Sequence, residues 1–167
     1  PAPLHSRIRF LTGDPKQEGA WMAQVPEYDW IINLAGASIS TKWTDEAKQS
    51  IRESRISTTR HLVQSLSGSA GKNRTLFSTS AIGYYGSRRD ESLEETSKPG
   101  EGFLPSVCRQ VEDFAENIEK LGVRCVVIRT GVVLGRDGGA LAKLAQPFRF
   151  FLGGHLGSGN QWFSWIS

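Results

Sequence analysis

An α/β architecture with a largely parallel sheet is what this sequence predicts. Strand-like apolar runs alternate with segments of helical periodicity. Three of those runs open into clusters of small or polar residues, at 33–36, 78–86 and 130–135. In parallel sheets ligands bind beyond the carboxyl ends of the strands, so these clusters are the first pointer to function. The length, 167 residues, suits one domain.

In order along the chain, residues 7–11 alternate polar and apolar side chains up to a Thr12-Gly13-Asp14-Pro15 turn, which predicts a strand. A short helical stretch over 16–25 leads to Trp30-Ile31-Ile32-Asn33-Leu34-Ala35, a run apolar enough for a buried strand and punctuated by Gly36. Thr44 offers a helix N-cap, with Asp45 and Glu46 at the positive end of the helix dipole. Ile51, Leu62 and Leu66, helped by Ala47 and Thr58, draw one helix face down to about Leu66, and a Gly/Ser-rich loop over 67–72 ends it. Residues 75–80 form the next strand, and 87–102 reads as an exposed loop. Phe103, Leu104, Val107, Val111, Phe114, Ala115, Ile118 and Leu121 then recur at helical spacing, with Pro105 in the first turn and Gly122 as the C′ residue. A β-branched strand over 123–129 follows, then an amphipathic helix over 140–152 kinked at Pro147, and a glycine-rich loop at 153–159. Trp162, Phe163 and Trp165 fit a packed strand.

Composition narrows the function classes. Twenty Lys+Arg against 17 Asp+Glu leave a charge of +3, and both signs are interspersed, so the basic balance does not point to nucleic acid. A hydrophobic content of 38% with 22% charged residues excludes a disordered chain. No apolar run approaches the ~18–20 residues of a membrane helix. Cys108 and Cys125 form neither a CxxC nor a disulfide framework, which leads us to expect reduced thiols and a cytoplasmic setting. His5, His61 and His155 lie far apart with no Cys/His cluster, so no metal is expected. There is no G-x-S-x-G elbow, no G-x-G-x-x-G and no G-x-x-x-x-G-K-[ST]. The chain starts Pro1-Ala2-Pro3 and stops at Ser167, and we read it as a piece of something longer. From the residues alone the chemistry stays open.

An ordered series of short motifs carries a resemblance. It runs Asn33-Leu34-Ala35-Gly36, Ser54-Arg55, Thr58-Thr59, Ser80-Ala81-Ile82-Gly83-Tyr84-Tyr85-Gly86, Pro99-Gly100 and Glu112. It continues through Arg129-Thr130-Gly131-Val132-Val133-Leu134-Gly135, Gly138-Gly139-Ala140, Pro147-Phe148-Arg149, Gly157-Ser158-Gly159 and Trp165-Ile166. This series resembles the atypical extended short-chain dehydrogenase/reductases of the epimerase family, the nucleotide-sugar epimerase-like and cell-division-inhibitor-like proteins. The resemblance implies a Rossmann-like fold, incomplete at both ends, with residues 1–167 as the central part of one NAD(P)-binding domain. The glycine-rich βαβ start and the C-terminal substrate lobe of the family have no counterpart in the chain.

For the residues present, the resemblance implies NADP or NAD as cofactor. Leu34, Ala35 and Gly36 would line it with backbone, Arg55 would meet phosphate or ribose oxygens, and Val133 would sit by the nicotinamide. Ser80 matches the first catalytic element of the superfamily. The usual Tyr-x-x-x-Lys pair falls on Leu104 and Cys108, which cannot do that work. Two readings follow. In one, the protein is an epimerase or oxidoreductase acting on a nucleotide-sugar-like substrate, with Tyr85 or Tyr84 as the acid/base beside Ser80 and with Arg88 or Arg89 as the nearby cation. In the other, it is a non-catalytic NAD(P)-binding sensor or partner-binding protein linked to cell division. Neither nucleic acid nor a membrane is expected as a partner.

Overall fold

The computed structural model describes residues 8–68, 73–136, 138–155 and 157–167. Two compact units emerge, one of residues up to Ser78 with Asp113–Val126, the other of Thr79–Glu112 with Val127–Ser167.

In the first unit, β1 (Trp30–Asn33) pairs in parallel with the start of β2 (Thr75–Ala81), from Trp30 opposite Thr75 to Asn33 opposite Ser78. A parallel pair needs a long crossover, and α1 (Asp45–Ser65) supplies it. Thr44 stays extended, and its Oγ1 accepts from the Ala47 amide at 3.2 Å, so the predicted N-cap forms, with Asp45 and Glu46 in the first turn. Leu62 and Leu66 meet Leu76 of β2 together with Ile118 and Val123, and Trp21, Val25, Ile31 and Cys125 pack around that cluster. Each fully buried leucine contributes on the order of 2 kcal/mol.

The sheet order is β1-β2-β3, with β3 covering Arg124–Thr130. Arg124 N donates to Arg74 O at 3.1 Å, and Thr130 Oγ1 to Ser80 O at 3.3 Å. Both contacts have the same spacing in sequence, so β3 runs in the direction of β2. The central place of β2 explains why Thr75, Leu76, Ser78 and Ser80 are all buried, whereas β1, with one strand partner among the described residues, buries only Asn33. Between β2 and β3 come α2 (Phe103–Glu116) and a 3-10 turn (Asn117–Leu121). Gly122 ends that turn in the left-handed conformation (φ 75°), as a C′ glycine should.

In the second unit, β2 passes into a 3-10 turn (Ile82–Tyr85), and β4 (Val132–Gly135) pairs in parallel with β5 (Trp165–Ile166). The last helix, α3 (Gly139–Arg149), lies against β4. No helix among the described residues is long and apolar enough to cross a membrane.

Several expectations need correction. Residues 8–11 pair with no described strand, and Ile8, Phe10 and Leu11 are exposed, so alternation there found no ladder partner. The stretch expected to be helical over 16–25 is a 3-10 helix over Ala20–Glu27. α3 ends two residues past Pro147, whose missing N–H weakens the last turn, and does not reach 152. Trp162 and Phe163 lie outside β5 and are exposed rather than packed. Pro1-Ala2-Pro3, His5, Arg7, residues 69–72 of the expected loop, and Leu156 of the glycine-rich loop lie outside the described residues.

Two outcomes follow from this packing. Thr44→Ala removes the acceptor for the Ala47 amide and should lower unfolding free energy by about 1 kcal/mol in a urea titration. Cys125 is half-buried against the core, and burial, then Glu119 and Glu116, push its thiol up to about 11. Its folded-state value lies above the ordinary one, so its contribution to stability is complete below pH about 9 and is lost as pH rises through about 11. Iodoacetamide labelling of Cys125, read by peptide mapping, should therefore stay slow at pH 8.5, accelerate towards pH 11, and be fast at both values in denaturant.

Candidate functional site

The end of β2, the C-terminal part of α2 and β3 bring a set of polar side chains together in the second unit. Ser80 and Glu112 are buried, at 8% and 4% exposure. Ser80 Oγ donates to Glu112 Oε1 at 2.5 Å. Arg129 of β3 grips the same carboxylate with two prongs, Nε to Oε1 at 3.0 Å and Nη2 to Oε2 at 2.7 Å. Its remaining amine, Nη1, donates to the Tyr85 hydroxyl at 2.9 Å and to Glu95 O at 2.8 Å. The guanidinium carbon lies 3.6 Å from the centre of the Tyr84 ring, and the two tyrosine rings meet edge to face at 5.3 Å.

Burying a charge is expensive unless it is paired and hydrogen-bonded, and here both conditions hold. The planar fork of arginine matches a carboxylate edge in a way an ammonium cannot. The Glu112 hydrogen bond, and behind it the one to Tyr85, hold the Arg129 guanidinium well above its usual range, against the opposing effect of burial. A raised value of this kind is lost only as pH climbs through it, beyond any working pH, so the cation is permanent.

The sequence therefore named Ser80, Tyr84 and Tyr85 and missed the pair that joins them. It looked for the cation at Arg88 or Arg89, but Arg88 is engaged with Glu91 at 2.7 Å and with Lys98 O, and Arg129 is the cation at Tyr85. Both missed residues left a signal. Arg129 is a charge inside the β-branched run of β3, and Glu112 is an acid within the Val107, Val111 and Ala115 stripe of α2, all three of which are buried. A charge in each of two apolar patterns calls for a partner. Leu104 Cβ faces Gly83, where a Cβ would come within 3.8 Å of it, and Cys108 is half-buried. Gly100 is needed because its amide donates to Tyr84 O at 2.9 Å while a Cβ there would collide with the Tyr85 carbonyl.

The same unit contains an open cleft of about 850 Å³, lined by Tyr85, Ile82, Arg88, Arg89, Gln161 and Trp162 among others. Val133, on β4, is 58% exposed.

In the first unit, Leu34, Ala35 and Gly36 form the exposed loop after β1. Asn33, buried and bonded through Nδ2 to Thr59 Oγ1, caps that loop by accepting from Ala35 N at 3.2 Å. Ser54 Oγ accepts from Ala37 N at 2.8 Å, and Arg55 Nη1 donates to Ala37 O and to Ile51 O, both at 3.1 Å. A Cβ on Gly36 would lie 2.8 Å from the Arg55 guanidinium carbon. The close approach that Gly36 allows is thus first of all to Arg55, which ties the loop to α1 rather than standing as a solvated helix charge.

A parallel α/β sheet whose central strand carries a buried serine near its end, followed by a tyrosine-bearing turn, places the fold in the Rossmann-like α/β class. No protein-family model matches the chain. An epimerase family protein of Staphylococcus haemolyticus is 42% identical over 160 residues, covering 92% of this chain and 54% of that protein. Among solved structures, a nucleoside-diphosphate sugar epimerase of Corynebacterium glutamicum matches with TM-score 0.76 and 37% identity, over 92% of this chain and 31% of that one. The human epimerase family protein SDR39U1 (isoform 2), solved with NADPH, matches with TM-score 0.76 and 30% identity, over 90% of this chain and 55% of that one. The homologues of this chain are thus epimerase family proteins, and its structural neighbours are of the extended short-chain dehydrogenase/reductase type. The chain spans about half the length of the curated relatives it matches.

Removing one partner of the buried pair should be the most damaging change in this region. Glu112→Ala leaves Arg129 uncompensated and should cost about 3 kcal/mol or more, while Glu112→Ala with Arg129→Met should cost less than the single changes predict by addition. Urea unfolding of the four proteins of the cycle measures this. Gly100→Ala should cost about 1–3 kcal/mol by the same measurement, since the Tyr85 carbonyl must move.

Proposed function

We propose that this chain is the central, NAD(P)-binding part of an epimerase or oxidoreductase that acts on a nucleotide-sugar-like substrate. The observation that carries the reading is the Ser80–Glu112–Arg129–Tyr85 network, which unites two side chains fit for acid/base work through a permanent ion pair. Support from relatives comes from the NADPH of the human structure and from the nucleoside-diphosphate sugar epimerase of C. glutamicum.

The residues fit a dinucleotide. The exposed backbone at Leu34, Ala35 and Gly36 carries no side chain at its third position, and half-buried Arg55 stands beside it. These residues would hold the cofactor's phosphate and ribose oxygens. The bound nicotinamide supplies hydride transfer.

The chain's own residues handle the proton. Ser80 donates its hydroxyl proton to Glu112, which leaves the Ser80 oxygen free to accept from a substrate hydroxyl. Tyr85 lines the cleft and exchanges a proton with the substrate oxygen, and the Arg129 N–H aimed at its phenol oxygen steadies negative charge there. Tyr84 holds the guanidinium from one face and positions it. Leu104 and Cys108, in place of Tyr and Lys, favour the second reading, a dinucleotide-binding sensor without turnover.

NADPH titration, followed by nicotinamide fluorescence, tests the binding half, and turnover of uridine-diphosphate sugars tests the other. Ser80→Ala and Tyr85→Phe should keep NADPH affinity within about threefold and lose turnover by on the order of 10²-fold or more. No NADPH binding by the folded protein would remove the cofactor assignment; binding without turnover would leave the sensor.

A further inference from the structure

The cleft beside Tyr85 holds four charged side chains in sequence, and three of them are engaged. Arg88 and Glu91 form a bidentate pair at 2.7 Å. Asp90 accepts from the Trp162 indole N–H at 2.8 Å. Arg89 makes no hydrogen bond or ion pair among the described residues, and its side chain is exposed in the cleft wall.

Its backbone adds an independent observation. Arg89 sits at φ 51°, in the left-handed region that glycine and asparagine enter readily and arginine does not. The neighbouring Gly86 turns at φ 65°, where a residue without a side chain does the same job with no penalty. A non-glycine residue kept in such a conformation points to a function for its side chain. The cleft is also lined by Ser158, Asn160 and Ser164, polar residues of the kind that suit hydroxyls.

We propose that Arg89 is the residue that reads an anionic oxygen group on the sugar ligand of this cleft. The ligand class is a hydroxylated sugar bearing a phosphate or a carboxylate, with the hydroxyls on Ser158, Asn160 and Ser164 and the anion on the guanidinium. The Arg88–Glu91 pair and the Asp90–Trp162 bond keep Asp90 and Glu91, the acids next to Arg89 in sequence, turned to other partners, so Arg89 stays open for the ligand. The assignment rests on the proposed function for the position of the substrate, and its test separates the two.

Calorimetric titration of the full chain with UDP, UDP-glucose, UDP-glucuronate and glucose is the experiment. Wild type should bind the charged ligands at least tenfold more tightly than glucose. Arg89→Gln should weaken that binding about tenfold or more, and Arg89→Lys should restore most of it. A loss shared by all three uridine ligands places the diphosphate on Arg89; a loss confined to UDP-glucuronate places the ring carboxylate there. Arg89→Gly should lower affinity as much as Arg89→Gln while the melting temperature holds or rises, because glycine accepts the left-handed backbone. Unchanged affinity for every ligand in Arg89→Gln and Arg89→Gly overturns the assignment. NADPH affinity, measured on the same variants, should not change. If NADPH fails to bind while the Arg89 effect persists, the cofactor reading falls and this one stands.

Discussion

The Arg129–Glu112 ion pair is the constraint on which the site depends. A strand interior and an apolar helix stripe are both poor places for a charge, and each residue is tolerable there only because of the other. Once the pair exists, its leftover hydrogen-bonding capacity decides where the surrounding groups go. The Glu112 carboxylate accepts a hydrogen bond from the Ser80 hydroxyl, and Nη1 of Arg129 donates one to the Tyr85 oxygen. The flat face of the guanidinium takes the Tyr84 ring. A fixed cation is thus delivered to a tyrosine by β3.

The loops around both units depend on small residues for a related reason. Close approach of a polar group to backbone needs the absence of a Cβ, and the structure uses this at Gly36, against the Arg55 guanidinium, and at Gly100, against the Tyr85 carbonyl. In each case an arginine-centred hydrogen-bond set lies next to the approach, at Ala37 O in the first unit and at Tyr85 OH in the second. Rigid loop backbone supported by a guanidinium is a means of pre-organising a site without a large core.

What the sequence made legible was local. Thr44 as N-cap, the α1 and α2 stripes and the Gly122 stop all depend on residues within a few positions, and all formed. Residues 8–11 show the limit, because alternation says which face a strand would bury and nothing about whether a neighbour exists. The first half of the site was legible too, since Ser80, Tyr84 and Tyr85 stand in one ordered motif. Glu112 and Arg129 are 17 residues apart in sequence and far from Tyr85, so their meeting is a tertiary fact. Trp162 was read as a core aromatic for the same reason: its partner, Asp90, lies 72 residues away.

The most direct test of the central interaction is hydrogen exchange at the Arg129 Nε–H, followed by ¹⁵N NMR. One arginine Nε–H should exchange far more slowly than those of the surface arginines and should vanish in Arg129→Lys. In Glu112→Gln the same signal should speed up sharply, since a neutral amide oxygen holds the guanidinium less well. An Arg129 Nε–H that exchanges at the surface rate in the wild-type protein would mean that the Arg129–Glu112 pair does not hold the site.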